Sequence, residues 1–258
     1  MSRLPRRAVI LVSALTLVMT LPLTASASHS WGGYHWARTT ASFTLQLGDN
    51  VTSTWDPYLA TTSRDWTASS VLDTTIVAGG SRSVKLCDAK AGLVQVCNAK
   101  YGNNGWLGIA SIWASGNHIT RGTVKLNDTY FSTASYNTPA WRNLVSCQEV
   151  GHTLGLGHQD ETFDNPNLGS CMDYSNSPDS NQHPNLHDYA QLESIYSHLD
   201  ATSTVASSPA NAPAAPGAHA ADAAWGRLVQ VTNNGRGAWY ERDLGSGDVV
   251  LTHVFWAD

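Results

Sequence analysis

Five residues in the stretch Ser146–His158, "SCQEVGHTLGLGH", limit what this chain can fold into more than any other feature. Gln148 and His152 are four positions apart, so a helix sets them about 40° apart around its axis and about 6 Å apart along it. Both side chains can then reach one ion. Glu149 stands beside them and can hold a water without ligating. His158 comes six residues after His152, and a continuous helix would carry it to the wrong side. The chain must therefore reverse, and Gly155 is the residue able to take a left-handed conformation. The spacing suits three metal ligands and one base.

The chain begins with Arg3, Arg6 and Arg7, then an uncharged apolar run to Leu21, Pro22, and the small residues Ala25-Ser26-Ala27. That layout predicts a secretory signal peptide over residues 1–27, with a run too short for a comfortable membrane span. Cleavage leaves twelve basic against twenty acidic residues, with no cationic cluster. Nucleic acid and anionic membrane surfaces are therefore not the expected partners. A secreted, extracellular monomer acting on a protein or peptide is expected.

Cys87, Cys97, Cys147 and Cys171 all lie beyond the leader. An even count in an exported chain implies disulfides. Of three possible pairings, Cys87–Cys97 and Cys147–Cys171 close the shortest loops. Each would contribute roughly 3 kcal/mol in the chain-entropy picture. No C-x-x-C spacing supports a thiolate metal site.

Residues 28–200 read as one globular unit of the α/β (α+β) class with a mixed sheet. Strands are predicted over "TASFTLQLGD", "TTIVAG", Val94–Cys97, Leu107–Trp113 and "HITRGTVKLNDTYF". A first helix is predicted from an Asp56-Pro57 cap to about Ser70, and a second from Thr138-Pro139 to near Gly155. "HDYAQLESIYSHL" supplies a closing helix. An Ala/Pro/Ser linker spans 201–222, followed by a β-rich tail over 223–258 with three short strand-like runs. Thirty-odd residues bury little core alone, so the tail either packs on the main unit or forms a marginal meander. Its Trp225, Trp239 and Trp256 are open to core packing or to a carbohydrate or partner.

The motif, together with "SCMDY" fourteen residues further on, resembles that of the metzincin metallopeptidases, H-E-x-x-H-x-x-G-x-x-H plus a Met-turn. Glu149, His152, Gly155 and His158 fit, and Gln148 replaces the first histidine as in the gametolysin-like form of the motif. Met172 is the last of three methionines, the other two lying in the leader. Tyr174 matches the M-x-Y arrangement of astacin- and serralysin-like members, though a core role is equally open to it. The resemblance covers roughly residues 40–200 and implies a matrixin-like catalytic domain with an active-site helix, a Met-turn and a C-terminal helix. It implies zinc on Gln148, His152 and His158, Glu149 as general base, Tyr174 as a catalytic hydrogen-bond donor, and Met172 as a hydrophobic floor. Calcium has no supporting motif.

Gln148 leaves two readings open. An amide oxygen is a poorer donor to zinc than imidazole, so the chain is either a working zinc endopeptidase or an inactive secreted binding protein on the same scaffold. A metal hydrolase acting on a non-protein amide is a third reading. Asp160 or Tyr174 could complete the coordination, and His183 and His187 are further candidate ligands. The strand near Leu107–Trp113 is expected to be an edge that pairs with an extended substrate.

Overall fold

The computed structural model describes residues 29–206, 225–232 and 234–257; the expected leader over 1–27 and residues 207–222 of the expected linker lie outside the described residues. The described residues form a nine-stranded mixed sheet against which the helices pack. Strands β1 (His35–Trp36), β2 (Phe43–Asn50), β3 (Leu72–Ala78), β4 (Leu93–Ala99) and β6 (His118–Asn127) run parallel. β5 (Trp106–Ser115) returns antiparallel to β6. Three tail strands continue the sheet: β7 (Arg227–Val231), β8 (Gly237–Gly245) and β9 (Asp248–Trp256). The spatial order is β3-β2-β4-β6-β5-β9-β8-β7, with β1 lying along β6. β4 reads "LVQVCNA" and is buried nearly throughout, as a central parallel strand covered on both faces should be.

Helix α1 (Asp56–Thr67) buries Leu59 and Trp66. Its cap is Trp55, with no side-chain bond, and Asp56 falls one position inside the helix, so the predicted Asp56 cap is displaced. In that first turn the carboxylate still faces the positive end of the helix dipole. The helix stops short of Ser70 because the Thr67 hydroxyl accepts from the Thr74 amide at 2.8 Å and turns the chain into β3. The predicted run "HITRGTVKLNDTYF" also divides. β6 ends at Asn127, whose side chain accepts from the Thr129 amide and starts the single turn α2 (Asp128–Phe131).

Helix α3 (Pro139–Thr153) begins as predicted, with the Thr138 hydroxyl accepting from the Trp141 amide. It is buried almost all round and anchored from several sides. Trp66 Nε1 donates to the Cys147 carbonyl at 3.1 Å, Trp36 Nε1 to Thr153 at 2.9 Å, and the Tyr196 hydroxyl to Leu154 at 3.0 Å. Cys147–Cys171 ties α3 to the Met172 loop, and Cys87–Cys97 closes the loop before β4. Helix α4 (Leu186–Ile195) closes the unit behind an Asn185–Asp188 capping box.

The tail does not stand apart. β9 pairs along the whole of β5, from Trp106↔Trp256 to Ser115↔Asp248. The edge predicted near Leu107–Trp113 is therefore not an edge, because the chain's own C-terminal strand already satisfies its backbone groups. Phe255, fully buried, packs against Trp141, Phe163 and Tyr174 of the main unit. No helix among the described residues is long and apolar enough to cross a membrane.

Phe255 anchors the tail, so Phe255→Ala should cost about 3–5 kcal/mol of docking. Hydrogen exchange read by mass spectrometry should then accelerate across 248–256 while β2 and β4 keep their protection. Unchanged exchange in β9 would contradict this anchoring role.

Candidate metal centre

Helix α3 carries Gln148, Glu149 and His152, as anticipated from the sequence. Gln148, Glu149 and His152 are all fully buried there. The helix ends at Thr153, and Gly155 takes φ +97°. A Cβ at Gly155 would stand 2.2 Å from the Tyr34 carbonyl oxygen, so both the backbone angle and the space require glycine. The reversal returns His158 to His152, with ring centroids 4.6 Å apart and planes at 88°.

Hydrogen bonds fix which nitrogen of His152 is free. Its Nδ1 lies 2.9 Å from the Leu156 carbonyl, an acceptor, so Nδ1 carries the proton. Nε2 then presents a lone pair, and it has no partner. His158 Nε2 is likewise buried without a partner, while its Nδ1 lies 3.5 Å from Glu161 Oε1, too long for a good hydrogen bond. Gln148 Nε2 donates to the Cys171 carbonyl at 2.9 Å, and its Oε1 is buried with no donor. Buried polar atoms are rarely left unpaired. Two imidazole nitrogens and an amide oxygen are thus left buried without partners, and each is of a type that can bind a divalent metal.

Electrostatics favour neutral, ligating rings. Burial holds His152 well below the usual histidine value, and His158 beside it adds to the effect. Burial also lowers His158, with Glu161 opposing. Burial pushes the Glu149 carboxyl well above the ordinary carboxylate range, only partly offset by the Ala110 backbone amide. Tyr174 is raised well above its usual value, first by burial and then by Glu149. Met172, fully buried, lies under α3, where a Cβ on Gly151 would meet its sulfur at 2.6 Å.

The tail brings residues that the motif did not include. His253 of β9 is fully buried and shares a 2.7 Å hydrogen bond through Nε2 with the Tyr174 hydroxyl. Its Nδ1 is 3.1 Å from Glu149 Oε2. One donor nitrogen each from His152, His158 and His253 lie within 4.8 Å of one another. Burial, followed by His152 and His158, keeps His253 well below its usual value. Trp239 of β8 covers the group, with centroids 4.9, 5.2 and 4.5 Å from His152, His158 and His253. Close passage of β8 depends on Gly237, where a Cβ would meet the Tyr174 hydroxyl at 2.0 Å.

The remaining candidates lie elsewhere. Asp160 accepts from the Thr162 amide and from Asn165, within its own loop. His183 pairs with Asp65 at 2.6 Å, and His187 stacks on His29. Trp225 packs with Tyr240 and Trp256, away from the histidines. A cavity of about 460 Å³ lies between the N-terminal residues 29–34, the 157–161 turn and the tail. His158 and Trp239 line it, and Glu149 does not.

His253 left one faint trace in the sequence. It alternates with Leu251 and Phe255 on the inward face of β9, where a polar residue needs a reason. Nothing in the sequence linked it to a motif about a hundred residues earlier.

No protein-family model matches this sequence, and no curated protein does either. Among solved structures, the chain is similar to high choriolytic enzyme 1, a hatching enzyme zinc-protease of the medaka fish Oryzias latipes. The identity is 10%, the TM-score 0.34, and the match covers 63% of this chain and 94% of that one. The superposition is loose, and the chemistry of the site rests on its own residues.

Gly155→Ala should strain the reversal by about 1–3 kcal/mol. Urea unfolding should show that loss, and zinc titration should show weaker binding at the centre as His158 is displaced. Wild-type stability would argue against Gly155 as the residue that sets the turn.

Proposed function

We propose that this chain is a secreted zinc-dependent endopeptidase whose own C-terminal strands hold it closed. The observation that carries the reading is the convergence of His152 and His158, each with an unpartnered Nε2, one helical step from Glu149. The resemblance of this motif and of Met172-x-Tyr174 to metzincins supports the same reading. The leader-like N-terminus and the two disulfides are consistent with export.

In this reading His152, His158 and the Gln148 amide oxygen hold the ion. Bound zinc supplies Lewis acidity and a water of lowered pKa. Glu149 would be the group that holds and hands on the proton in the reaction, as general base and then general acid. The Tyr174 hydroxyl donates to the oxygen of the scissile carbonyl as negative charge develops there. An extended peptide would lie along β5, giving its backbone the partner that β9 now provides.

His253 occupies both proposed catalytic groups at once, through Nδ1 on Glu149 and Nε2 on Tyr174. With Trp239 over the imidazoles, the closed form leaves no route for a peptide to Glu149. Turnover in this scheme follows displacement of β9 from β5.

The other reading, a secreted binding protein without catalysis, draws on the same contacts and on Gln148. Casein cleavage separates the two. Wild-type protein should cleave slowly, and Phe255→Ala at least about tenfold faster, as expected if several kcal/mol of docking is lost. A zinc chelator, or Glu149→Ala in the same background, should return both to baseline. Cleavage no faster than that of the Glu149→Ala protein in every variant, at saturating zinc, would leave the binding protein as the reading.

A further inference from the structure

A second cluster of ligating side chains lies outside this centre. His35 comes from β1, His198 and Asp200 from the segment after α4, and His118 from the start of β6. His35 Nε2 is 3.2 Å from His198 Nε2 and 3.5 Å from Asp200 Oδ1. His198 Nε2 is 3.6 Å from the same oxygen. Four donors around a tetrahedral zinc, each about 2.0–2.1 Å from the metal, stand about 3.3 Å from one another. The three separations lie close to that edge length.

Hydrogen bonding shows which lone pairs these atoms could turn toward a cation. His35 Nδ1 lies 3.0 Å from the Gly33 carbonyl, so the proton sits on Nδ1 and neutral His35 directs the Nε2 lone pair at the other two donors. That lone pair and a carboxylate oxygen face each other with no hydrogen of their own between them. Either a hydrogen carried by His198 Nε2, 3.2 Å from His35 Nε2, or a metal ion can fill such a convergence. The outer contacts are those that orient metal ligands. The Gly33 carbonyl fixes His35, the Arg38 amide donates to Asp200 Oδ2 at 2.9 Å, and His118 Nε2 lies 3.2 Å from Asp200 Oδ1. The side chains of His35 and Asp200 are 8% and 7% exposed, while that of His198 is half exposed and gives an ion a path in.

We propose that His35, His198 and Asp200 form a second divalent-metal site, of zinc class, with His118 positioning the carboxylate from outside. Two nitrogens and one oxygen suit zinc better than the oxygen-seeking calcium or magnesium. The ion would clip the N-terminal segment to the end of α4. That segment also carries Trp31, whose ring lies 5.9 Å from His152, so the clip would steady one wall of the first centre without taking part in it.

The test is metal stoichiometry of the full chain, dialysed against buffered free zinc and measured by atomic emission. His198→Ala changes a half-exposed ring and should leave the fold intact, as checked by circular dichroism. It should bind one zinc fewer per chain than wild type, whatever the first centre holds. His118→Ala should keep the ion with about tenfold weaker affinity. Asp200→Asn should lose it, and zinc should raise the Tm of His118→Ala but not of Asp200→Asn by way of this site. Equal stoichiometry in wild type and His198→Ala would mean that hydrogen bonds among these side chains fill the cluster and would overturn the proposal. Because the readout is a difference between two proteins, it stands even if the first centre binds nothing and the peptidase reading fails.

Discussion

The centre depends on one change of direction. α3 can present Gln148, Glu149 and His152 only along a rising helical face, and His158 rejoins them because the chain turns back at Gly155. Burial on all sides makes that turn consequential. Trp36, Trp66 and Tyr196 bond the carbonyls of α3 near its C-terminal half, and Cys147–Cys171 fixes the loop that lies beneath it. The histidines thus meet in a dry, preorganised place. Their unpaired nitrogens carry a desolvation cost there that a bound cation would offset.

The same dryness has a second origin in the C-terminal strands. β9 completes β5, and β8 lays Trp239 over the rings. Strand pairing is a generic interaction, open to any extended backbone, so under the proposed function β9 would compete with a peptide substrate for the edge of β5. His253 makes this competition specific, since it meets Glu149 and Tyr174 rather than the backbone alone. In the proposed peptidase, closure and chemistry would be coupled through this one side chain.

Legibility varied with the range of the interaction. Thr138-Pro139 as a helix start, the α3 motif, the Gly155 turn and the two cystines were readable because their determinants lie within a few residues, or tens of residues, of one another. Asp56 misled as a cap because the backbone of Trp55 took that position, a choice made by packing of the Trp55 ring on Phe131 and Tyr58. The "HITRGTVKLNDTYF" run was read as one strand because its apolar alternation continues past Asn127. Asn127 breaks it by bonding at once to Thr129, Gly102 and Trp106. The pattern near Leu107–Trp113 specifies a strand, but whether that strand lies at an edge depends on β9, which pairs with it from more than a hundred residues away.

The sequence alone determined the periodic and local features: the helix that aligns Gln148, Glu149 and His152, the glycine that reverses it, and the strands that make the class α/β with a mixed sheet. Tertiary structure alone decided that His253 stands between Glu149 and Tyr174, that β9 closes the β5 edge, and that His35, His198 and Asp200 meet across the fold. The physical reason is separation along the chain. Helix and turn geometry follow from backbone sterics within a few residues. Contacts between positions about a hundred or more residues apart depend on which strands and helices find common apolar faces, and no local spacing encodes that choice.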